Sequence, residues 1–407
     1  MPLRAQSAAG SDPATAGRKP ASRAVFGTSR RYTSGPEAIT AADLAGRVVA
    51  RRSESEVSRL TGPRRVSVAD LAGGAVHAPL LDSAGRVHEP LVAVELDGVT
   101  EVPGEALERA RSGDRLLIGL ARGRLSPRVA ELARALDLTL VGGGAAGGPE
   151  CVAVPDPEEP LAALHGAATR NPQAATVLGE VLRATEALPV GAALDVESFA
   201  YSALLGGPEF RRWLESRGPR PLPSPVEHPV LVERAGDRLT VTLNRPERRN
   251  AYGRQVRDAL VDALHLALLD GTVTRVVLAG AGPSFCSGGD LDEFGTAPDL
   301  TTAHLVRTRA GAGRLVHALA GQVEARLHGA CVGAGIELPA FAGRVTAAAG
   351  TTFRLPEVGM GLIPGAGGTV GIPRRIGRHR TLYLALTGAP LDLPTALAWG
   401  LVDAADG

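Results

Sequence analysis

Two glutamates near the C-terminus have surroundings suited to proton transfer. Glu337 follows the small residues at 333–335 and has apolar neighbours, and Glu357 follows Pro356 in an equally apolar segment. A helix that begins at the small residues would direct free N–H groups and the positive end of its dipole toward a ligand. Two carboxyl groups in apolar surroundings can differ in pKa, so that one acts as an acid while the other acts as a base. The pattern therefore predicts that Glu337 and Glu357 share one acid–base site.

The bulk composition limits the classes of partner. At 407 residues the chain could hold two domains, or one large domain with an appendage. A net charge of +1 argues against a nucleic-acid or membrane partner chosen by bulk charge, and no apolar run approaches membrane-spanning length. Cys151, Cys286 and Cys331 provide neither an even disulfide framework nor a metal-binding spacing. We therefore expect a cytoplasmic protein without a metal site.

The composition changes three times along the chain, which predicts four parts. Residues 1–65 are expected to be a disordered leader, although their composition is shared with transit peptides. Residues 66–217 are expected to form an α/β region that ends in helices. Residues 218–229 are rich in proline and are expected to be a linker. Residues 230–407 form the second α/β region, which contains both glutamates.

The N-terminal α/β region has a pattern typical of a small parallel sheet. Apolar runs at 91–96, 115–120 and 138–141 predict strands, and residues 126–136 predict a helix that begins at Ser126-Pro127. This β-α-β order favours a mostly parallel arrangement. Three helices are predicted after the sheet, at 174–188, 192–205 and 208–217.

The second region contains repeated strand–strand–helix patterns. Residues 230–234 and 239–243 predict a hairpin across Gly236-Asp237. Residues 301–319 predict one helix with a threonine cap at its N-terminus, and residues 323–327 predict a strand that leads into the Glu337 helix.

The chain from Pro225 to the C-terminus resembles the enoyl-CoA hydratase/isomerase family, also called the crotonase family. The resemblance rests on six segments that occur in the family's order. It implies an α/β fold with a crotonase-like ββα spiral core, preceded by a smaller α/β and helical region. The segments are Leu243–Pro246 with Arg249–Ala251, Phe285–Leu291, His328–Leu338, Leu355–Glu357, Ile363–Gly368 and Gly400–Val402.

The region 66–217 resembles a degenerate crotonase-like half. Its helices up to residue 217 are similar to those that normally end a crotonase chain, yet here they precede the core. The core stops soon after Gly400, where those helices would normally begin. The region has no counterpart of the Glu337 and Glu357 segments.

The resemblance also implies roles for individual residues. The backbone N–H groups of Gly289 and Ala334 match an oxyanion hole that holds the thioester oxygen, and Ala334 replaces a glycine common in the family. Glu337 and Glu357 match the two acids that hold the attacking water. Coenzyme A would lie along Arg245, Arg248, Arg249, Ala251, Asp290 and Leu291, with Arg254 as a further candidate for its phosphates. For any single arginine a solvated basic turn is an equally good interpretation, and Asp290 could instead hold its loop.

The expected function is that of an enoyl-CoA hydratase, a lyase that adds water to an acyl thioester or removes it. One alternative is a double-bond isomerase that uses Glu357 alone, and another is a non-catalytic partner subunit that binds acyl thioesters. The thioester of coenzyme A or of an acyl-carrier protein is expected as the substrate, without a metal or redox cofactor. The resemblance implies a homo-oligomer, either a trimer or a hexamer.

Overall fold

Apolar runs in the N-terminal half form a parallel sheet. The computed structural model describes residues 62–144 and 147–406, which belong to one unit. The strands are β1 Arg64–Ser67, β2 Leu91–Glu95, β3 Leu116–Ala121, β4 Leu138–Val141 and β5 Cys151–Ala153. They pair in the order β1-β2-β3-β4-β5, and every pair is parallel. All six residues of β3 are buried, as expected for a parallel strand covered on both faces. The predicted β-α-β order is therefore confirmed.

Seven helices are described in the same half. Ser126 caps the third by accepting a bond from the Val129 N–H at 3.4 Å, and Pro127 occupies its first turn. Of the predicted leader, residues 1–61 lie outside the described residues, and Arg64 already begins β1. The helices are α1 Val68–Ala72, α2 Gly104–Arg111, α3 Pro127–Ala135, α4 Glu158–Arg170, α5 Pro172–Thr185, α6 Val190–Leu205 and α7 Pro208–Arg217.

The C-terminal half contributes two further sheets. Their strands are β6 Val230–Ala235, β7 Arg238–Leu243, β8 Arg275–Gly280, β9 Val323–Leu327, β10 Ala330–Val332, β11 Arg344–Ala347, β12 Thr352–Arg354, β13 Leu391–Asp392 and β14 Ala404–Ala405. The larger sheet has the order β14-β11-β9-β8-β7-β6, and the smaller has the order β10-β12-β13. The predicted hairpin is confirmed as β6 and β7, which pair antiparallel around Gly236 at φ +62°. The other pairs of the larger sheet are parallel.

The prediction of one continuous helix over 301–319 is wrong, because the structure has two helices in this segment. Asp299, rather than a threonine, caps the first part by accepting a bond from the Thr302 N–H at 2.8 Å. At Gly311 the chain bends so sharply that a Cβ would lie 2.2 Å from the carbonyl oxygen of Arg307. The C-terminal helices are α8 Arg254–Leu269, α9 Leu300–Arg309, α10 Gly313–Ala318, α11 Ala334–Glu337, α12 Gly368–Ile376, α13 Arg378–Thr387 and α14 Leu393–Trp399.

Helices α5 and α6 of the N-terminal half pack against the C-terminal half of the same chain. Buried residues such as Leu178 and Leu194 share one apolar core with Val370 of α12. The Asn171 side chain donates to the Val358 carbonyl at 2.7 Å.

The predicted linker, residues 218–229, carries no helix or strand. None of the helices in the described ranges has both the length and the apolar character needed to cross a bilayer.

Candidate active site

Two glycine-containing segments, one through Gly289 and the other through Ala334, lie side by side and line a cavity of about 540 Å³. The Val332 N–H donates to the Cys286 carbonyl at 3.0 Å, and Cys286 pairs with Cys331 as in a parallel ladder. This close approach requires glycine at 335, where a Cβ would lie 2.2 Å from the Cys286 carbonyl oxygen. As a result, Gly289 and Ala334 line the same cavity.

The N–H groups of Gly289 and Ala334 make no hydrogen bond within the described residues. Ala334 is the first residue of α11, so its N–H has no acceptor inside the helix. At Gly289 the flanking residues bond to Tyr252 instead. The Tyr252 N–H donates to Gly288, and the Asp290 N–H donates to Tyr252. Both groups are therefore available as donors to a ligand in the cavity.

Glu337 is buried at the end of α11, with 2% of its surface exposed. Its Oε2 atom accepts bonds from the N–H groups of Ala366 at 2.7 Å and Gly368 at 2.9 Å. Burial raises the pKa of this carboxyl to about 7, while the backbone bonds oppose the rise. The two backbone donors stabilise the ionised form of Glu337.

Glu357 is buried at the start of a short 3₁₀ helix, Glu357–Met360, and also lines the cavity. Its Oε2 atom has no hydrogen-bond partner among the described residues. Burial, followed by the neighbouring Glu337 carboxyl, raises the pKa of Glu357 well above its usual range. Glu357 is therefore a buried acid of the cavity rather than a surface residue.

The two carboxyl groups meet at Gly333, which has φ +49°. A Cβ on Gly333 would lie 2.6 Å from Glu357 Oε1 and 3.6 Å from Glu337 Oε1. A side chain at residue 333 would therefore collide with the Glu357 carboxyl, and glycine avoids this collision. Because Glu337 has backbone donors and the Glu357 Oε2 has no partner, a shared proton is held preferentially by Glu357.

A third buried glutamate, Glu197 of α6, also lines the cavity and was not predicted from the sequence. Its Oε1 accepts from the Gly367 N–H at 2.8 Å, and its Oε2 accepts from the Thr369 N–H at 2.9 Å and hydroxyl at 2.7 Å. Burial, and then the nearby Glu337, raise the pKa of Glu197 to about 8. Its sequence signal is an acid three residues after Leu194 and four before Tyr201, on the inward face of α6.

Two glutamates from different halves of the chain thus hold one turn. The four successive N–H groups of residues 366–369 bond alternately to Glu337 and Glu197. This turn opens α12, and Gly367 within it has φ +106°. The position of the Glu337 carboxyl therefore depends on a residue of the N-terminal half.

Of the six residues predicted to lie along coenzyme A, Asp290 lines the cavity. Arg248 is paired with Asp290 at 2.6 Å and with Asp292 at 2.8 Å. Arg245 is buried, and its backbone N–H is held by the Asn250 side chain at 2.7 Å. The other three, Arg249, Ala251 and Leu291, lie outside the cavity lining, and their contact with coenzyme A stays a prediction.

Arg254, the further candidate for the phosphates of coenzyme A, does line the cavity, together with Arg257, Arg307 and Arg314.

Within the described ranges, no group of three or more potential ligands could hold a metal ion. Burial raises the pKa of the Cys286 thiol to about 12, so this thiol beside the cavity is held in its protonated form.

Comparisons with known proteins match the C-terminal half. The sequence profile of the family Enoyl-CoA hydratase/isomerase matches residues 236–407. A 1,2-epoxyphenylacetyl-CoA isomerase from Escherichia coli (strain K12) is 36% identical over 169 residues, which are 40% of this chain and 64% of that protein. A 2,3-dehydroadipyl-CoA hydratase from the same strain is 34% identical over 173 residues, which are 42% of this chain and 67% of that protein.

Among solved structures, a carnitinyl-CoA dehydratase from Mycobacterium avium 104 is 37% identical, with a TM-score of 0.40, over 44% of this chain and 70% of that one. The chain thus spans about two thirds of the length of the curated relatives it matches. On the sequence matches, this chain belongs to the enoyl-CoA hydratase/isomerase family.

Proposed function

We propose that this protein adds water across the carbon–carbon double bond of an enoyl thioester, and catalyses the reverse elimination. The observation that carries the proposal is the pair of buried carboxyl groups, Glu337 and Glu357, which face each other across Gly333. The free N–H groups of Gly289 and Ala334 line the same cavity. A hydratase needs these two elements together: an acid–base pair and fixed donors for the thioester oxygen.

In the proposed reaction the Gly289 and Ala334 N–H groups act as the oxyanion hole. As the water oxygen bonds to Cβ, the π electrons move toward the thioester oxygen, which gains negative charge. Each fixed donor in such a site stabilises the transition state by about 3 kcal/mol. The enolate then collapses, and its Cα takes up a proton.

The two glutamates have different roles in this scheme. Glu337, ionised through its bonds from Ala366 and Gly368, accepts the proton of the attacking water. Glu357, held in its protonated form by its apolar site, donates a proton to Cα. After release of the β-hydroxyacyl thioester, Glu337 gives its proton to water and Glu357 takes up a proton from water, which restores the starting state of both carboxyl groups. Only water and protons are transferred, so the chemistry requires no redox cofactor.

Double-bond isomerisation is the second candidate. Glu357 has an oxygen without a partner, and a single carboxyl can move a proton from one carbon to another. The distinguishing residue is Glu337, which an isomerase of this kind does not need.

A panel of enoyl thioesters, on coenzyme A and on an acyl-carrier protein, tests the proposal when products are measured by mass spectrometry. Glu337→Gln and Glu357→Gln should each lower turnover by roughly 10²-fold or more. Glu180→Gln is the matched control, because Glu180 is exposed on α5 and makes no hydrogen bond or ion pair in the described part of the chain. Loss of activity only in Glu357→Gln would favour isomerisation. Binding without turnover, unchanged in both variants, would indicate a thioester-binding partner subunit.

A further inference from the structure

Arg307 of α9 is a cation that lines the cavity without an acidic partner. No carboxylate in the described residues lies within 4.0 Å of its guanidinium group. Desolvation by burial lowers the pKa of Arg307, although an arginine remains charged. Placing an uncompensated charge in a partly dry site is unfavourable unless something pairs with it.

The contacts of Arg307 fix its orientation but leave part of it free. Its Nε donates to the Ser198 hydroxyl at 3.1 Å, and its Nη2 donates to the Ser198 carbonyl at 3.2 Å and to the Ser202 hydroxyl. All three acceptors are neutral and belong to α6. The Nη1 group makes no hydrogen bond in the described ranges and is accessible to solvent. Two N–H donors therefore remain for a ligand.

Tyr201 lies directly beneath this guanidinium, whose central carbon is 4.5 Å from the ring centroid. The Tyr201 side chain lines the cavity, and its hydroxyl has no hydrogen-bond partner among the described residues. Burial raises the pKa of Tyr201, which keeps the hydroxyl a neutral donor. The ring packs against Gly365, where a Cβ would lie 2.4 Å from it. Gly365 precedes the turn that holds Glu337.

After Tyr201, the group that acts on Arg307 electrostatically is the Glu197 carboxyl. Its two oxygens already accept bonds from Gly367 and Thr369, and it lies beyond ion-pair distance. Arg307 and Tyr201 thus present the free Nη1 group of a cation and a hydroxyl donor to the same cavity. This combination suits a carboxylate, which can accept one charge-assisted bond from Nη1 and one bond from the Tyr201 hydroxyl.

We propose that the acyl group taken by this site carries a carboxylate, which Arg307 and Tyr201 bind. The inference rests on the proposed function, because it assumes that an acyl thioester occupies the cavity. An acyl carboxylate fits this place better than a phosphate of coenzyme A. The subsite lies beside the Gly365–Glu337 region, whereas the phosphates lie at the far end of the pantetheine arm.

The test compares two enoyl-CoA thioesters of equal chain length, one ending in a carboxylate and the other in its methyl ester. The protein should prefer the carboxylate in kcat/KM. Arg307→Gln should lower the ratio of the two kcat/KM values by about 10- to 100-fold, and Tyr201→Phe by about 10-fold, as for lost charge-assisted bonds. Arg309→Gln, an exposed arginine at the end of the same helix, should leave the ratio unchanged.

Tyr201→Phe keeps the ring and leaves the bonds from Arg307 to α6 intact, so it tests the subsite even where Arg307→Gln is poorly folded. Equal losses for both thioesters would show that Arg307 only holds α9 against α6. Weaker inhibition of Arg307→Gln by free coenzyme A would show that Arg307 binds coenzyme A instead. Either result overturns the inference. Calorimetric binding of the corresponding saturated thioesters tests the carboxylate subsite separately from the proposed hydratase activity. A carboxylate preference in binding without any hydration supports the subsite while refuting the hydratase.

Discussion

Replacement of Glu197 by alanine tests whether the N-terminal half holds the active-site turn. The variant removes the acceptor of two buried N–H groups, those of Gly367 and Thr369. A buried donor left without a partner costs about 1–3 kcal/mol, so the two together cost about 4 kcal/mol. The Thr369 hydroxyl is left out of this sum because it can rotate toward another acceptor.

The same replacement also removes an unfavourable buried carboxyl, and this gain depends on pH. The pKa of Glu197 is raised from 4.5 to about 8 on folding, so its contribution to stability is lost as the pH rises toward 8. At pH 5 the parent loses about 1 kcal/mol in this way, and at pH 7 about 3 kcal/mol. Glu197→Ala should therefore destabilise the fold by about 3 kcal/mol at pH 5 and by about 1 kcal/mol at pH 7.

Urea denaturation at both pH values, followed by circular dichroism, measures this difference. Turnover should fall as well, because Glu337 is bound by the same turn. Glu180→Gln, on the neighbouring helix, is the matched control. If Glu197→Ala is as stable and as active as this control at pH 5, the reasoning about the turn is refuted.

Three further predictions follow from the site. Gly289→Pro removes one N–H donor and should lower turnover far more than affinity for coenzyme A. Gly289→Ala adds the same Cβ against Phe294 but keeps the N–H; equal losses in both variants would show only a crowded cavity. Residues 226–407 expressed alone should be insoluble or inactive, and residues 160–217 added as a separate chain should restore activity; a monomeric, fully active fragment would contradict this. Below about pH 7, turnover should rise about tenfold per pH unit as Glu337 loses its proton, and a flat profile from pH 5 to 8 would rule out Glu337 as the base.

Local signals in the sequence predicted much of the fold. The hairpin at Gly236, the strands of both halves and the helix that begins at Ser126 depend on residues close in sequence. The break at Gly311 was missed, because the bend forms against the carbonyl of Arg307, within what reads as one continuous helical pattern. The predicted threonine cap was also wrong, since Asp299 provides the capping oxygen.

The site could be predicted only in part. Glycine-rich segments and the family resemblance pointed to Glu337 and Glu357, which the structure brings to one cavity. Glu197 was missed because its donors lie about 170 positions away in the chain, and no local pattern pairs such residues. Similarly, the sequence could not show that the Arg248 side chain forms an ion pair with Asp290, which follows it by 42 positions.

Isotope labelling with water enriched in oxygen-18 shows directly whether the protein adds water to an enoyl thioester. A but-2-enoyl thioester of coenzyme A is incubated with the protein in labelled water, and the products are analysed by mass spectrometry. The product should be a β-hydroxyacyl thioester that carries one heavy oxygen, formed at least about 10²-fold more slowly by Glu337→Gln and by Glu357→Gln. An unlabelled product of unchanged mass, or labelling at the same rate in the parent and both variants, would contradict the hydratase proposal.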